Sequence, residues 1–166
     1  MNGKVDLESW HEIYSLIHRY ARAVDRIDPE LGRTIFHADA TADYGDFYKG
    51  SGYGAIETIC ETHKTLLSHS HQITTVNISI DGDRAGSEAY HFAMTRVRKD
   101  DKLMHSTFLG RYIDRWSRRQ GRWGIEHRQV LRDLDEVREV VPLTLEGIAP
   151  RDKSCPSYAV LSWPGR

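Results

Sequence analysis

Residues 71–134 read HQITTVNISIDGDRAGSEAYHFAMTRVRKDDKLMHSTFLGRYIDRWSRRQGRWGIEHRQVLRDL, and this stretch decides the fold. Polar turn sequences at 81–83 (DGD), 99–102 (KDDK) and 120–121 (QG) separate four strands of about ten to sixteen residues. Short turns between consecutive strands predict an antiparallel meander. Strands of this length exceed the usual roughly five or six residues, so we expect the sheet to twist and bend strongly. Three glycines are candidate bulge or kink sites: Gly86, Gly110 and Gly124.

The segment before these strands has the pattern of three helices and one hairpin. Asp6 is a candidate N-cap for the first helix, and Asp28-Pro29 begins a second helix that we expect to continue through Phe36. Residues 41–50 predict a short β-hairpin, and Ser51 begins a third helix. Three helices packed against one strongly curved sheet predict an α+β cone with an open mouth. The apolar face of the first helix has helical spacing at Trp10, Ile13, Ile17, Ala21 and Val24.

Length and composition indicate one folded domain. The chain has 166 residues, of which 39% are hydrophobic and 28% charged, enough to build a single core. No Pro-, Gly- or Ser-rich stretch interrupts its middle, so we place one domain at residues 1–139. Residues 140–166 contain four prolines and predict an irregular C-terminal tail that serves as a lid or an oligomer contact.

Charge and hydropathy limit the partners. The 23 Lys and Arg residues nearly balance the 24 Asp and Glu residues, so we expect no nucleic acid or anionic lipid as a partner. No apolar run is long enough to cross a membrane, and the N-terminus lacks the apolar core of a signal peptide, so a cytoplasmic location is expected. Cys60 and Cys155 lack metal-ligand spacing and are expected to stay reduced thiols.

Asp25 and His71 form a candidate acid/base pair. Asp25 ends the first helix, and His71 opens the first long strand. A carboxylate beside an imidazole fixes the ring tautomer and raises its basicity, which suits removal of a proton from carbon near neutral pH. Two alternatives stay open: Asp25 could be a solvated helix end, and His71 could be an edge histidine bonded to backbone. A negative charge at a helix C-terminus is unfavourable by roughly 0.3–1 kcal/mol, which favours the functional interpretation.

The order of these elements resembles the SnoaL-like branch of the NTF2-like superfamily over roughly residues 7–134. Within it the pattern is most similar to lyases of the bile acid 7α-dehydratase, scytalone dehydratase and hexachlorocyclohexane dehydrochlorinase type. The resemblance implies a cone-shaped fold and an Asp–His pair at Asp25 and His71, with the histidine removing a proton during elimination. It also implies pocket roles for Tyr20, Tyr44 and Arg128. Dimers or trimers, formed through the sheet face and the tail, follow from the same resemblance.

The remaining candidate residues surround this pair. Tyr20 is a candidate proton donor to a departing hydroxyl, and Arg128 is a candidate stabiliser of developing negative charge, although a solvated charged strand face would also explain Arg128. An aromatic wall would suit an apolar, ring-containing substrate. His69 and His71 could share a face, but they lack further ligands at metal spacing, so no metal is expected. The candidate substrate-binding residues are Tyr44, Tyr48, Phe92, Phe108, His91 and His127.

These observations predict a lyase that works without a cofactor. It would dehydrate a hydroxylated, largely apolar cyclic substrate such as a hydroxysteroid-like ketone, because elimination beside a carbonyl passes through an enolate that a pocket can stabilise. The same dyad would also serve a double-bond isomerase or a ring-closing polyketide-type cyclase. A ligand-binding or structural subunit that lacks catalysis is the third alternative.

Overall fold

The computed structural model describes residues 6–141 and 149–161. Three helices pack on one face of a six-stranded sheet, and a short fourth helix lies in the C-terminal tail. This arrangement confirms the predicted α+β fold. In chain order the elements are α1 (Leu7–Asp25), α2 (Pro29–Arg33), β1 (Phe36–Asp43), β2 (Lys49–Ser51), α3 (Gly52–Lys64), β3 (Ser68–Asp81), β4 (Arg84–Lys99), β5 (Lys102–Arg119), β6 (Arg122–Glu139) and α4 (Ser157–Val160).

The helices begin at the predicted caps. The side chain of Asp6 accepts from the backbone N–H of Ser9, and those of Asp28 and Ser51 accept in the same way at α2 and α3. The second helix is shorter than predicted, since it ends at Arg33. Its expected last residue, Phe36, instead opens β1 and is fully buried in the core, so tertiary packing overrides the local helical pattern.

The sheet follows the order β2-β1-β6-β5-β4-β3. The last four strands form the predicted antiparallel meander, with 14 to 18 residues per strand. β1 and β2 form the predicted hairpin, and β1 then pairs with β6 in parallel, which joins the N-terminal and C-terminal ends of the sheet. The parallel contact was not predicted, because the two strands are separated by most of the chain. It brings the end of β1 beside the middle of β6.

Three register shifts bend the long strands. In β6 the extra residues are Glu126 and Asp133, and in β3 the shift lies between Ile73 and Val76. Gly110 lies at one of these shifts, where an added Cβ would meet the backbone oxygen of Leu131 at 2.2 Å. Gly86 and Gly124 lie in continuous register, so the expectation of bulges at these two glycines was wrong.

The core fills the space between the helices and the concave face of the sheet. α1 contributes its apolar stripe, and Trp116, Trp123 and Ile125 from β5 and β6 are fully buried against it. The tail residues 149–161 pack on the corner between α1 and α2, where the Tyr158 hydroxyl donates to Asp28 at 2.8 Å. Residues 142–148 and 162–166, which belong to the predicted tail, lie outside the described residues. No helix in the described ranges is both long and apolar enough to cross a bilayer.

Candidate active site

The end of α1 and the start of β3 bring Asp25 and His71 into direct contact. Asp25 Oδ1 lies 2.7 Å from Nδ1 of the His71 ring, and Asp25 Oδ2 accepts from the His71 backbone N–H at 3.0 Å. A carboxylate held at both oxygens by one residue cannot rotate freely. Both side chains are largely buried, with 11% of His71 and 13% of Asp25 exposed. The Nδ1 proton is directed to the carboxylate, which leaves Nε2 with a free lone pair.

Two further histidines support the end of α1. His63 Nδ1 and His69 Nε2 lie 3.2 and 3.0 Å from the carbonyl oxygen of Val24, the residue before Asp25. A carbonyl oxygen only accepts, so each histidine carries its proton on the nitrogen that faces Val24. Burial and the neighbouring imidazoles lower the pKa of His63 to about 3, and burial lowers that of His69. Both rings are therefore neutral near pH 7, and His71 is the ring in this group that is paired with a carboxylate.

Tyrosines from α1 and from the end of β1 form the opposite polar group. The hydroxyls of Tyr20 and Tyr44 are 2.8 Å apart. Burial raises the pKa of both, and the buried positive charge of Arg128 opposes this rise, so both phenols remain protonated at neutral pH. The Arg128 guanidinium lies 4.1 Å from the Tyr20 ring centroid and 4.4 Å from that of Tyr112. Arg128 thus places a positive charge behind the tyrosine pair.

A cavity of about 300 Å³ connects these groups. Its polar side chains include His71, the Tyr20–Tyr44 pair, two neutral histidines, two threonines and Arg132, and most of the remaining wall is apolar. The lining residues are Tyr20, Tyr44, Phe47, Ile59, Thr62, His63, Leu66, His71, His91, Ala93, Thr95, Phe108, Leu109, Tyr112, Val130, Leu131 and Arg132. A mostly apolar concavity with few convergent polar groups is typical of a small-molecule site.

His91 enters the cavity from β4. Its ring stacks on Tyr112 with centroids 4.2 Å apart and an interplanar angle of 13°. Burial, reinforced by the electrostatic influence of the neighbouring His71 and Arg128 side chains, lowers the pKa of His91 to about 4. Both ring nitrogens are buried, and neither has a hydrogen-bond partner among the described residues. An unpaired buried polar group is destabilising, so a ligand that forms a hydrogen bond with His91 would remove this cost.

The structure places five predicted site residues outside the cavity lining. One is Asp25, which contacts His71 from behind. Phe92 lies on the opposite face of β4 from His91, because consecutive strand residues alternate. His127 faces outward and lies within 2.7 Å of the exposed Thr41 hydroxyl. The Tyr48 hydroxyl donates to the backbone of Ser51 at 3.1 Å. Arg128 points inward but lies behind the tyrosines, where Asp114 binds it through two 2.7 Å hydrogen bonds.

Sequence reasoning missed three residues of the site. His63 occupies the buried face of α3, and a histidine in an apolar helical stripe is the signal that could have indicated it. Tyr112 and Asp114 both face inward from β5, on the same side of the strand as Trp116. A carboxylate at an inward position between two aromatic residues predicts a buried cationic partner, and Arg128 is that partner.

Both ring nitrogens of His69 have protein partners in the structure, so His69 is not available as a metal ligand here. One nitrogen contacts Val24 and the other contacts Arg151 at 2.8 Å. Within residues 6–141 and 149–161, no group of three or more His, Cys, Asp or Glu side chains has an arrangement that could hold a metal ion.

The fold and the site together define a cone-shaped α+β protein of the NTF2-like class, with an Asp–His pair whose histidine lines the cavity. The SnoaL-like domain family matches residues 5–129, so this chain belongs to that family. No curated protein matches the sequence.

Solved structures share this architecture at low sequence identity. A protein from Kribbella flavida is 20% identical with a TM-score of 0.71, and the match covers 79% of this chain and 95% of that one. A protein from Novosphingobium aromaticivorans, provisionally named a scytalone dehydratase, is 20% identical with a TM-score of 0.69 over 86% and 97% of the two chains. Hexachlorocyclohexane dehydrochlorinase LinA-type3 from Novosphingobium barchaimii is 14% identical with a TM-score of 0.72 over 82% and 96%. At these identities the likeness establishes the fold.

Proposed function

We propose that this protein is a lyase that removes water from a hydroxylated, largely apolar cyclic ketone. The observation that carries the proposal is the geometry of Asp25 and His71: one carboxylate holds both the backbone and the ring of a histidine that lines an apolar cavity. This arrangement leaves Nε2 as the basic nitrogen and gives the imidazolium a counter-charge. The names of two structural neighbours, a dehydratase and a dehydrochlorinase, support elimination chemistry.

The first step is proton transfer from carbon. His71 Nε2 removes a proton from the carbon next to the substrate carbonyl, and the electron pair of that C–H bond forms an enolate. Asp25 stabilises the resulting imidazolium through the 2.7 Å contact at Nδ1. Because His63 and His69 stay neutral, no second positive imidazole competes with this charge.

The second step is loss of the hydroxyl group. The enolate reforms its carbonyl, and the electron pair forms a double bond between the carbon that lost its proton and the neighbouring carbon that bears the hydroxyl. The carbon–oxygen bond of that neighbour breaks, and the departing oxygen leaves as water with the proton that His71 had taken up. The Tyr20–Tyr44 pair donates a hydrogen bond to the departing oxygen of the substrate during this step. Arg128 adds a fixed positive potential behind the two phenols. No net proton remains on the protein.

The cavity also supports the substrate class. Its wall is mainly aliphatic and aromatic, and the two histidines that face it besides His71 have lowered pKa values and are neutral. His91 offers ring nitrogens without partners in the described structure to a hydroxyl or carbonyl group of the ligand. The one cationic lining residue, Arg132, is paired with Asp135 at 3.0 Å. An uncharged ring system with two or three oxygen substituents fits these groups.

Product analysis tests the proposal. The protein is incubated with hydroxysteroid and polyketide-like hydroxy ketones and with a small charged hydroxy acid, and the products are identified by mass spectrometry. We expect loss of one water from a ring ketone, no reaction of the acid, and turnover about 10²–10⁴-fold lower in His71→Ala. A product of unchanged mass would indicate an isomerase or a cyclase. Ligand binding without any reaction would indicate a binding protein, and a folded His71→Ala protein with full activity would overturn the mechanism.

A further inference from the structure

The described part of the C-terminal tail, residues 149–161, lies behind the Asp–His pair. None of these residues lines the cavity. The tail is attached to α1 and α2 at several points: Arg22 donates to the Ser157 hydroxyl at 2.9 Å, and Tyr158 donates to Asp28 at 2.8 Å. These contacts hold the tail against the same helix end that carries Asp25.

Arg151 is a tail residue that contacts the histidines beside the dyad. Its Nη1 donates to the His63 carbonyl at 3.0 Å and to His69 Nδ1 at 2.8 Å, and its Nη2 donates to the Leu66 carbonyl at 2.8 Å. The two carbonyls belong to the end of α3 and the residues just after it, where helix carbonyls lack partners within the helix. One guanidinium therefore joins the end of α3 to the start of β3.

The contact with His69 acts together with the Val24 carbonyl to place the ring proton on Nε2. A guanidinium can only donate, so His69 Nδ1 accepts and the ring proton lies on Nε2. This proton is donated to the carbonyl of Val24 at 3.0 Å. A continuous hydrogen-bonded path thus runs from Arg151 through His69 to the peptide unit that connects Val24 with Asp25.

We propose that Arg151 is a positioning residue of the active site, which fixes the tautomer of His69 and thereby the end of α1 and the orientation of Asp25. The inference rests on the proposed function, because it assigns Arg151 a role in orienting Asp25, which in turn holds the proposed base His71. Arg151 does not touch the substrate cavity. A misplacement of reacting groups by about 1 Å can lower turnover by roughly 10²-fold, so a contact at this distance from the substrate can still act on the rate.

The test compares Arg151→Met with Arg151→Lys and with Lys153→Met. Lys153 lies on the same tail and pairs with Glu30 at 2.6 Å on the surface, so its variant controls for a general effect of the tail. We expect kcat to fall about 10- to 100-fold in Arg151→Met with KM changed by less than about twofold. Arg151→Lys, which keeps the charge and a single donor nitrogen, should lie between Arg151→Met and the unmodified protein. Lys153→Met should retain full turnover.

Nitrogen NMR of the histidine rings gives a readout that does not depend on activity. In the unmodified protein His69 should show an unprotonated Nδ1 and a protonated Nε2, and in Arg151→Met the share of this tautomer should fall, because the Val24 carbonyl alone then favours it. Unchanged kcat with an unchanged His69 tautomer in folded Arg151→Met would overturn the inference, as would equal losses in Arg151→Met and Lys153→Met. Full activity of His71→Ala would instead contradict the proposed function, and the tautomer measurement would still decide whether Arg151 sets the state of His69.

Discussion

Arg128 and Asp114 form a bidentate ion pair whose two side chains are completely buried. Nε and Nη2 of Arg128 each donate to one carboxylate oxygen at 2.7 Å, and neither side chain is exposed. Charges in a protein interior are tolerated only when they are paired and hydrogen-bonded. Arg128 therefore has two effects: its pairing with Asp114 stabilises the core, and its charge gives a positive potential behind Tyr20 and Tyr44.

The first prediction concerns this pair. Arg128→Met should lower the free energy of unfolding by about 3–5 kcal/mol, because it leaves Asp114 charged and buried without a partner. The double variant Asp114→Leu/Arg128→Met should recover most of that loss. Arg119→Met, which removes exposed pairs with Asp39 and Glu126, should cost less than about 1 kcal/mol. Urea unfolding measures all four proteins, and equal effects of the two arginine variants would contradict the assignment of a structural ion pair.

The second prediction concerns the coupling of Asp25 to His71. Asp25→Asn keeps the shape of the side chain but offers His71 a neutral group, and kcat should fall roughly 10²-fold or more because the imidazolium loses its counter-charge. Combined with His71→Ala, the loss should be far smaller than the product of the two separate losses, since the residues act as a unit. Fully multiplicative losses of kcat would show that the two residues work independently.

The third prediction separates the two tyrosines. The two hydroxyls are 2.8 Å apart and either can donate, but the Tyr44 hydroxyl also lies beside the Arg128 guanidinium, which can only donate. We therefore expect Tyr44 to accept from Tyr20 and to have its own proton free to donate into the cavity. Tyr44→Phe should therefore reduce kcat about 10²-fold, as loss of a donor to developing charge usually does. Tyr20→Phe should have the smaller effect on kcat. The reverse order would assign the direct contact with substrate to Tyr20.

The fourth prediction uses two aromatic residues on neighbouring strands. Phe108 lines the cavity, whereas Phe92 lies outside the lining. Phe108→Ala should raise KM for a ring ketone about fivefold through the loss of roughly 1 kcal/mol of apolar contact, and Phe92→Ala should leave KM unchanged. Steady-state kinetics with one substrate measures both. An equal rise of KM in the two variants would place the ligand elsewhere.

The fifth prediction concerns acid stability. The pKa of His63 is lowered to about 3 and that of His91 to about 4 by burial, while in the unfolded chain both titrate near their ordinary value of about 6.5. Between about pH 6.5 and pH 4 the unfolded state binds more protons, so stability falls as the pH is lowered through this window, by about 1 kcal/mol per pH unit for each histidine. Urea unfolding at pH 7, 6 and 5 measures this slope. His91→Phe should reduce it, and an unchanged slope would mean that His91 is not held neutral in the folded protein.

Much of the fold was predictable from local signals. The turn sequences between the four long strands and the caps at Asp6, Asp28 and Ser51 lie where the elements begin or end. The contact between Asp25 and His71 was inferred from resemblance and is present in the structure. The parallel pairing of β1 with β6 had no local signal, because it joins segments that are distant in sequence and depends on the curvature of the whole sheet.

The errors in the candidate site follow from strand alternation. His91 and Phe92 are consecutive residues of one regular strand, so only one of them can face the cavity, and the buried alanines at 89 and 93 identify His91 as that residue. His127 and Arg128 are likewise consecutive residues of β6, so only one of them can face inward. There the choice could not be made from the sequence, because the extra residue Glu126 shifts the inward positions from odd to even numbers.

The bulge at Glu126 has a consequence for how this strand tolerates changes in length. Ile125 and Arg128 both face the core across it, although they are three residues apart. Removal of Glu126 would restore simple alternation and leave Arg128 and the residues after it on their present faces. Removal of Gln129 would instead move every following inward side chain of β6 to the outer surface. A deletion at Glu126, where β6 already carries a surplus residue, is therefore compatible with the cavity, whereas a deletion at Gln129 is not.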